Sequence, residues 1–362
     1  MQDRPSPVDN FFTQLTYALI IFGICFVVSA SWNESQRYYG SPWILILKHA
    51  ISITIGCGLM YLVSFIHVGW AKKYAWYLMG ITIVGLLITA KWGIVSGGSR
   101  RWLDLGFMNV QISEFAKVMC PLVIAKAWVE KKGFWKAVAA LLVCAGLVLK
   151  QPDLGTSMIV FTSGFIAYFA AGANLIFLAL IATAIVFAGW EHIQSTPYQM
   201  ERIRYWLEPQ LDPLGHGYNL IQSTKAIASG GLWGQGFGGS IQKLGPLPIP
   251  YADFIFSVIS EEIGFLGCIV LLTVFLAWIL RALYISASCK DPFAKIFGFA
   301  VVVAFGLQVV INIGVATGMF PITGITLPFI SFGGSSFISS CLMAGIIMNI
   351  SRLNNYAQSA NP

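Results

Sequence analysis

The stretch DFIFSVISEEIGFLGCIVLLTVFLAWILR, residues 253–281, decides the fold class. As a helix it extends about 40 Å, more than the roughly 30 Å hydrocarbon core of a bilayer. Its interior is apolar apart from Glu261 and Glu262, and it begins with a third acid, Asp253. Of the chain's 362 residues, 57% are hydrophobic and 10% are charged, whereas soluble domains carry about 25% charged residues. Most of this chain therefore has lipid as its solvent. The formal charge of +7 suits anionic headgroups as partners, and no nucleic-acid-binding module is visible. Six of the seven cysteines fall in apolar runs and Cys289 in a loop, a pattern of neither disulfides nor paired metal ligands.

Outward from this stretch, apolar runs between polar breaks predict ten helices, at 13–32, 44–66, 75–96, 112–129, 134–149, 155–171, 174–190, 253–281, 294–316 and 333–351. The expected fold is an all-α integral membrane protein, a single polytopic domain over 1–362. Tails are expected at 1–12 and 352–362, and a large loop over 191–252 between the seventh and eighth helices. Met1–Gln14 is polar and the run Leu15–Trp32 lacks a small-residue cleavage site, as expected of a retained span rather than a signal peptide. An even number of spans puts both termini on one side. Inner loops would then hold Lys72, Lys73, Lys131, Lys132, Lys290 and Lys295, against Arg100, Arg101, Lys150, Arg202, Arg204, Lys225 and Lys243 outside. Leaving out the long 191–252 segment, to which the positive-inside rule does not apply, places the termini in the cytoplasm.

In that orientation Glu34, Asp104, Glu114, Asp153, Glu191, Glu201, Glu208, Asp212 and Asp253 all gather at the outer face. The 191–252 loop is too long for a simple connection. It carries apolar anchors such as Tyr205, Trp206, Leu232 and Trp233, and GYNLIQSTKAIASGGL (217–232) reads as a helix lying in the interface. FPITGITLPFISFGGSS (320–336) is broken by Pro321, Gly324, Pro328, Gly333 and Gly334, and so is expected to form a re-entrant loop between helices 9 and 10.

If Asp253 is helical, Ser257, Ser260, Gly264 and Gly267 share its face, a small polar stripe suited to close helix packing. Asp253 also reads as an N-cap after the turn PLPIPYAD, and Glu261 and Glu262 read as members of structural ion pairs before they read as catalytic. In GGSRRWLDLG (97–106), Arg100 and Arg101 are either forked donors for a diphosphate or anchors among headgroups. In QISEFAK (111–117), Glu114 and Lys117 can pair at i, i+3. Asp153 of KQPDLGTS (150–157) sits at a helix-opening turn and would serve there as a cap. GQGFGG (234–239) matches a dinucleotide fingerprint only formally, because no strand precedes it, and flexible backbone is the expectation there. The histidines at 49, 67, 192 and 216 lack metal-ligand spacing.

Taken together, GGSRRWLDLG, QISEFAK, QPDLGT, GYNLIQSTKAIASGGLWGQG, ADFIFSVISEEIGFLG and NIGVATGMFPITGITLPFISFGGSS, in this order, resemble the SEDS family of shape, elongation, division and sporulation proteins. SAS (29–31), DPLGHGYNLIQS and NIGVATG are closer to its division-type FtsW members. The resemblance implies a ten-span peptidoglycan glycosyltransferase of the bacterial cytoplasmic membrane, acting at the division septum. Its implied substrate is lipid II, the undecaprenyl-diphosphate-linked disaccharide peptide, joined by β-1,4 links on the outer face. Asp253 is then the catalytic acid–base residue, and Arg100, Arg101, Trp102, Glu114, Lys117 and Asp153 bind substrate. No cofactor is required, and a divalent cation, Mg or Mn, is compatible with a diphosphate. The implied partners are a class B penicillin-binding protein and other divisome or elongasome proteins. Ile249 and Tyr251 depart from the acidic and histidine residues of many relatives. The reading from another class is a lipid II flippase, which would need polar groups reachable from both faces, and a third is a division scaffold without catalysis.

Overall fold

The computed structural model describes residues 7–96, 99–104, 106 and 108–359. The ends of the two expected tails, and Gly97 and Gly98 of the arginine motif, lie outside the described residues. The helices are α1 (Asn10–Tyr39), α2 (Trp43–Val63), α3 (Val68–Trp92), α4 (Ser113–Val129), α5 (Phe134–Lys150) and α6 (Leu154–Ala170). They continue with α7 (Leu175–Ser195), α8 (Pro197–Leu207), α9 (Tyr218–Gly230), α10 (Ile255–Ala287), α11 (Pro292–Ala316) and α12 (Gly334–Ser359). Each of the ten expected runs contains a helix. Among the described residues six helices, α1, α2, α3, α10, α11 and α12, are long and apolar enough to cross a membrane.

Local chemistry sets several of the ends. Asp9 accepts from the amide of Phe12 to open α1, which stops where Gly40 takes the left-handed conformation at φ 71°. Asp291 caps α11 ahead of Pro292, which occupies the first turn where its missing N–H costs nothing.

Lipid tails are as apolar as leucine, so helices in a membrane are held by close fit rather than by hydrophobic expulsion. The fit here uses small residues. A Cβ added to Gly345 of α12 would meet the Met60 carbonyl of α2 at 2.7 Å, and one on Gly56 would meet Phe337 at 3.0 Å. Deeper in, Trp278 stacks on Phe305 with ring centroids 3.9 Å apart, and its indole N–H donates to Thr16 at 2.9 Å.

Two features depart from the helical expectation. The first is a three-stranded antiparallel sheet, β1 (Ile94–Ser96), β2 (Ser99–Asp104) and β3 (Asn109–Val110), where the third helix was expected to run on to residue 96. The second is a break in α10 at Gly264, whose φ of 67° and ψ of −172° are not helical. The segment 231–236 fills the break. Gln235 and Gly236 amides donate to the carbonyls of Glu261 and Glu262, while Phe265 and Leu266 amides donate to those of Gly231 and Leu232. Backbone groups freed inside a membrane must be satisfied by protein, and here a glycine-rich loop does so. Where flexible backbone was expected at 234–239, the start of this run is hydrogen-bonded to α10, and Gly234 allows the close approach, since a Cβ there would overlap the Glu262 carbonyl.

The two termini meet at one end of the bundle. Asp9 accepts from the Arg281 guanidinium at 2.6 Å, its amide donates to Ser351 at 2.9 Å, and Asn355 donates to the Pro7 carbonyl at 2.7 Å. At the opposite end lie the C-termini of α1, α3, α5 and α11 and the N-termini of α2, α4, α6, α10 and α12.

Candidate active site

Proline at 246, 248 and 250 delays the start of α10 until Ile255, which leaves Asp253 in a turn. The residue in the cap position is Phe254, so Asp253 is neither helical nor an N-cap, and both sequence expectations for its backbone are corrected. Of the small-residue face, Ser257 and Ser260 pack on α9, where Ser257 Oγ lies 2.6 Å from Ser223 Oγ and a Cβ on Gly230 would overlap the Ser260 carbonyl, whereas the break at Gly264 ends the face there.

What holds Asp253 is the loop 317–333. Asn312 Nδ2 donates to the Asp253 carbonyl at 3.0 Å and to that of Ile325 at 2.6 Å. Ser331 Oγ donates to the Ala252 carbonyl at 2.7 Å, and the Phe332 amide to that of Tyr251 at 2.8 Å. This irregular loop is mostly buried from Ile325 to Phe332, and its Phe329 carbonyl lies against Gly23, in the middle of α1.

Arg101 reaches the same place from β2. Pairing runs Ile94 to Trp102 and then Val95 to Arg100, so Arg101 is an extra residue in a β-bulge, a device that re-aims a side chain. Its Nε donates to the Gln151 carbonyl at 3.1 Å, an Nη donates to the Pro152 carbonyl, and Nη1 lies 4.0 Å from Asp153 Oδ2. Asp153 does cap α6, through Oδ1 to the Thr156 amide at 3.1 Å. Its other oxygen accepts from Gln111 Nε2 at 3.0 Å. Gly324, at φ 72°, marks the meeting point: a Cβ there would stand 3.6 Å from Asp253 Oδ2 and 3.9 Å from Arg101 Nη1.

Asp253 is crowded by protein yet retains partial access to the surface. Burial pushes its carboxyl up to about 6, with Arg101 and Arg202 opposing the rise and Asp153 adding to it. Burial likewise raises the neighbouring Tyr251 hydroxyl to about 12.

Three expected site residues point elsewhere. Arg100 is exposed and donates to the Lys91 carbonyl at the end of α3, at 2.7 Å. Lys117 and Glu114 form a buried pair at 2.6 Å, with Lys117 only 1% exposed. Lys117 also donates to Gln308 Oε1 at 2.6 Å, and Gln308 Nε2 donates to the Thr326 carbonyl at 3.1 Å. Through Gln308 the pair supports the loop from behind. Trp102 is half-buried on the sheet. Gln111, Asn312 and Gln308 carry no local signal of their place at the site, and Gly324 is marked in the sequence only as one breaker in a loop of prolines and glycines.

Of the other two acids, Glu262 pairs with Lys243 at 2.5 Å and accepts from Ser29 at 2.8 Å, as a structural ion pair should. Glu261 instead accepts from Ser240 Oγ at 2.5 Å and from the amides of Ile241 and Gln242 at 3.1 and 3.3 Å. Both carboxylates pin the long loop to α10. Among the described residues no three His, Cys, Asp or Glu side chains are grouped to hold a metal ion.

The family model for FtsW, RodA and SpoVE, described as "Cell cycle protein", matches residues 10–356. The chain is 34% identical over 359 residues to the "Probable peptidoglycan glycosyltransferase FtsW" of Coxiella burnetii, covering 94% of this chain and 95% of that one. It is 33% identical over 369 residues to "Stage V sporulation protein E" of Bacillus subtilis, covering 98% and 100%. The fold matches, at a TM-score of 0.79 and 28% identity, a chain in a solved structure described as "Structural coordination of polymerization and crosslinking by a peptidoglycan synthase complex", covering 96% and 98%.

Proposed function

The chain belongs to the family of FtsW, RodA and SpoVE, and from that premise we propose that it is a division-type peptidoglycan glycosyltransferase whose general base is Asp253. The substrate is lipid II. In the reaction the 4-hydroxyl of the acceptor sugar attacks the anomeric carbon of the donor, giving up its proton to the Asp253 carboxylate as the new β-1,4 bond forms. The bond from that carbon to the diphosphate breaks, and undecaprenyl diphosphate leaves with the electron pair. A base with its pKa raised to about 6 is largely ionised at neutral pH and still a competent proton acceptor. Arg101, held by two backbone carbonyls beside Asp153, supplies positive charge where the leaving diphosphate becomes more negative. A Mg or Mn ion would be carried chiefly by the diphosphate oxygens with one or two carboxylates.

The observation that carries the reading is the convergence of Asp253, Arg101 and Asp153 over Gly324, from four distant parts of the chain. This end of the bundle is opposite the termini, which favours a one-sided enzyme over a flippase. We take it as the outer face, with ten spans and cytoplasmic termini. The assembly partner is a penicillin-binding protein, as the likeness to a synthase complex supports.

The test is polymerisation of purified lipid II in liposomes by the chain with its partner. Asp253→Asn should insert normally and lose activity by about a hundredfold or more, the range of a general base. Undiminished glycan formation by this variant would reject the assignment.

A further inference from the structure

Next to the site, between α8, α9 and the loop 317–333, lies a trough that the chemistry above does not use. A cavity of about 200 Å³ is lined by Arg202, Tyr205, Trp206, His216, Asn219 and Ile322. It adjoins a second of about 410 Å³, lined among others by Gln210 and Lys225, and the two share Trp206 and Leu220. The first alone is smaller than a usual ligand pocket of roughly 300–1,000 Å³, whereas the two together fall within that range. The trough begins at the catalytic end. Ile322 is two residues from Gly324, at most about 7 Å along the backbone, and the charge of Arg202 is felt at Asp253.

The lining is built rather than incidental. Trp206 is fixed by its indole N–H donating to the Gly318 carbonyl at 2.8 Å. Tyr205 and His216 stack face to face at 4.7 Å and 7°, and His216 is oriented by Asp212 at 3.1 Å and Glu201 at 3.9 Å. The side chains of Asn219, Gln210 and Lys225 line the trough with no partner among the described residues. Aromatic faces carry negative potential that attracts the weakly positive C–H edges of a pyranose. Amides suit hydroxyls, and a guanidinium suits a carboxylate. Rings, amides and two cations lining adjoining cavities therefore match a saccharide that carries carboxylates.

We infer that this trough is a subsite for the saccharide of the growing strand, with ring faces on Tyr205 and Trp206 and the carboxylates of its stem peptides on Arg202 and Lys225. The inference rests on the polymerase reading. It explains why a 191–252 segment of such length is folded over the site instead of closing in a short turn.

Binding can be tested apart from catalysis. The full chain carrying Asp253→Ala, in nanodiscs, is titrated by fluorescence anisotropy with a labelled, lipid-free peptidoglycan tetrasaccharide. The same fragment with amidated carboxylates and neutral chitotetraose serve as comparison probes. Saturable binding is expected, weakened about tenfold or more by Arg202→Ala, by the exposed and fold-neutral Lys225→Gln, and by amidation of the fragment. Absence of binding, equal binding of chitotetraose, or unchanged affinity in both variants would overturn the subsite. Such a result together with a polymerase-dead Asp253→Ala leaves the proposed function standing, and an active Asp253→Ala that binds the fragment does the reverse.

Discussion

In the proposed reaction Asp253 depends on a balance of burial and three nearby charges, and that balance sets the pH at which it could accept a proton. As a base it must be ionised, so activity should rise with pH through an acid limb near 6. Removing Arg101, which holds the pKa down, should move the limb to higher pH; Asp153→Asn, which removes a charge that pushes it up, should move it lower. Asn keeps the cap of α6, so the second shift should come without loss of fold. Rate profiles of the two variants against pH check the signs. Lys117 belongs to a different argument. Its removal leaves Glu114, 6% exposed, as an uncompensated charge, a cost of about 3–5 kcal/mol. Lys117→Met should therefore lower the denaturation temperature in detergent, and Glu114→Gln added to it should restore much of the loss. A Lys117→Met protein as stable as the wild type but unable to use lipid II would return Lys117 to the diphosphate.

At the scale of elements, the broken α10 is the least replaceable part. Gly264 needs a positive φ, and an added Cβ would overlap the backbone of Gly234. Gly264→Ala should destabilise by at least about 1–3 kcal/mol, the cost of a non-glycine residue in such a conformation, and should expel the segment that Glu261 and Glu262 hold. Gly80→Ala in α3, where a Cβ meets nothing within 4 Å, is the control, and it should be neutral or slightly stabilising. Thermal unfolding followed by tryptophan fluorescence and limited proteolysis of the 231–249 segment distinguish the two. Equal stability of both variants would show that the break is not required.

On the scale of the whole molecule, the bundle separates its ends. The termini share a network of Asp9, Arg281, Ser351 and Asn355, and the proposed chemistry lies at the other end. Leu214, 88% exposed in the long loop, is a probe of sidedness. Leu214→Cys should react with a membrane-impermeant maleimide in intact cells above the background of the native cysteines. A cysteine in a terminal tag should react only after permeabilisation. Labelling of the tag first would invert the orientation and remove lipid II on the outer leaflet from reach of Asp253.

How much was legible follows from the range of each interaction. Hydropathy adds up along the chain, so lipid as solvent, a helical run at each of ten places and an irregular loop within 320–336 were all determined by the amino-acid sequence alone, although α12 already starts at Gly334. So was the set of motifs that carries the family. The sheet that aims Arg101 inward and Arg100 outward was not, because it turns on one extra residue in a strand pairing that hydropathy does not record. Nor were the partners of Lys117 and Glu262, since Gln308 is 191 residues from the first and Lys243 lies on a loop folded back over the second. Only the tertiary structure decided which charges were buried against each other and which stayed open to a substrate, because that choice depends on which distant side chains share a low-dielectric space.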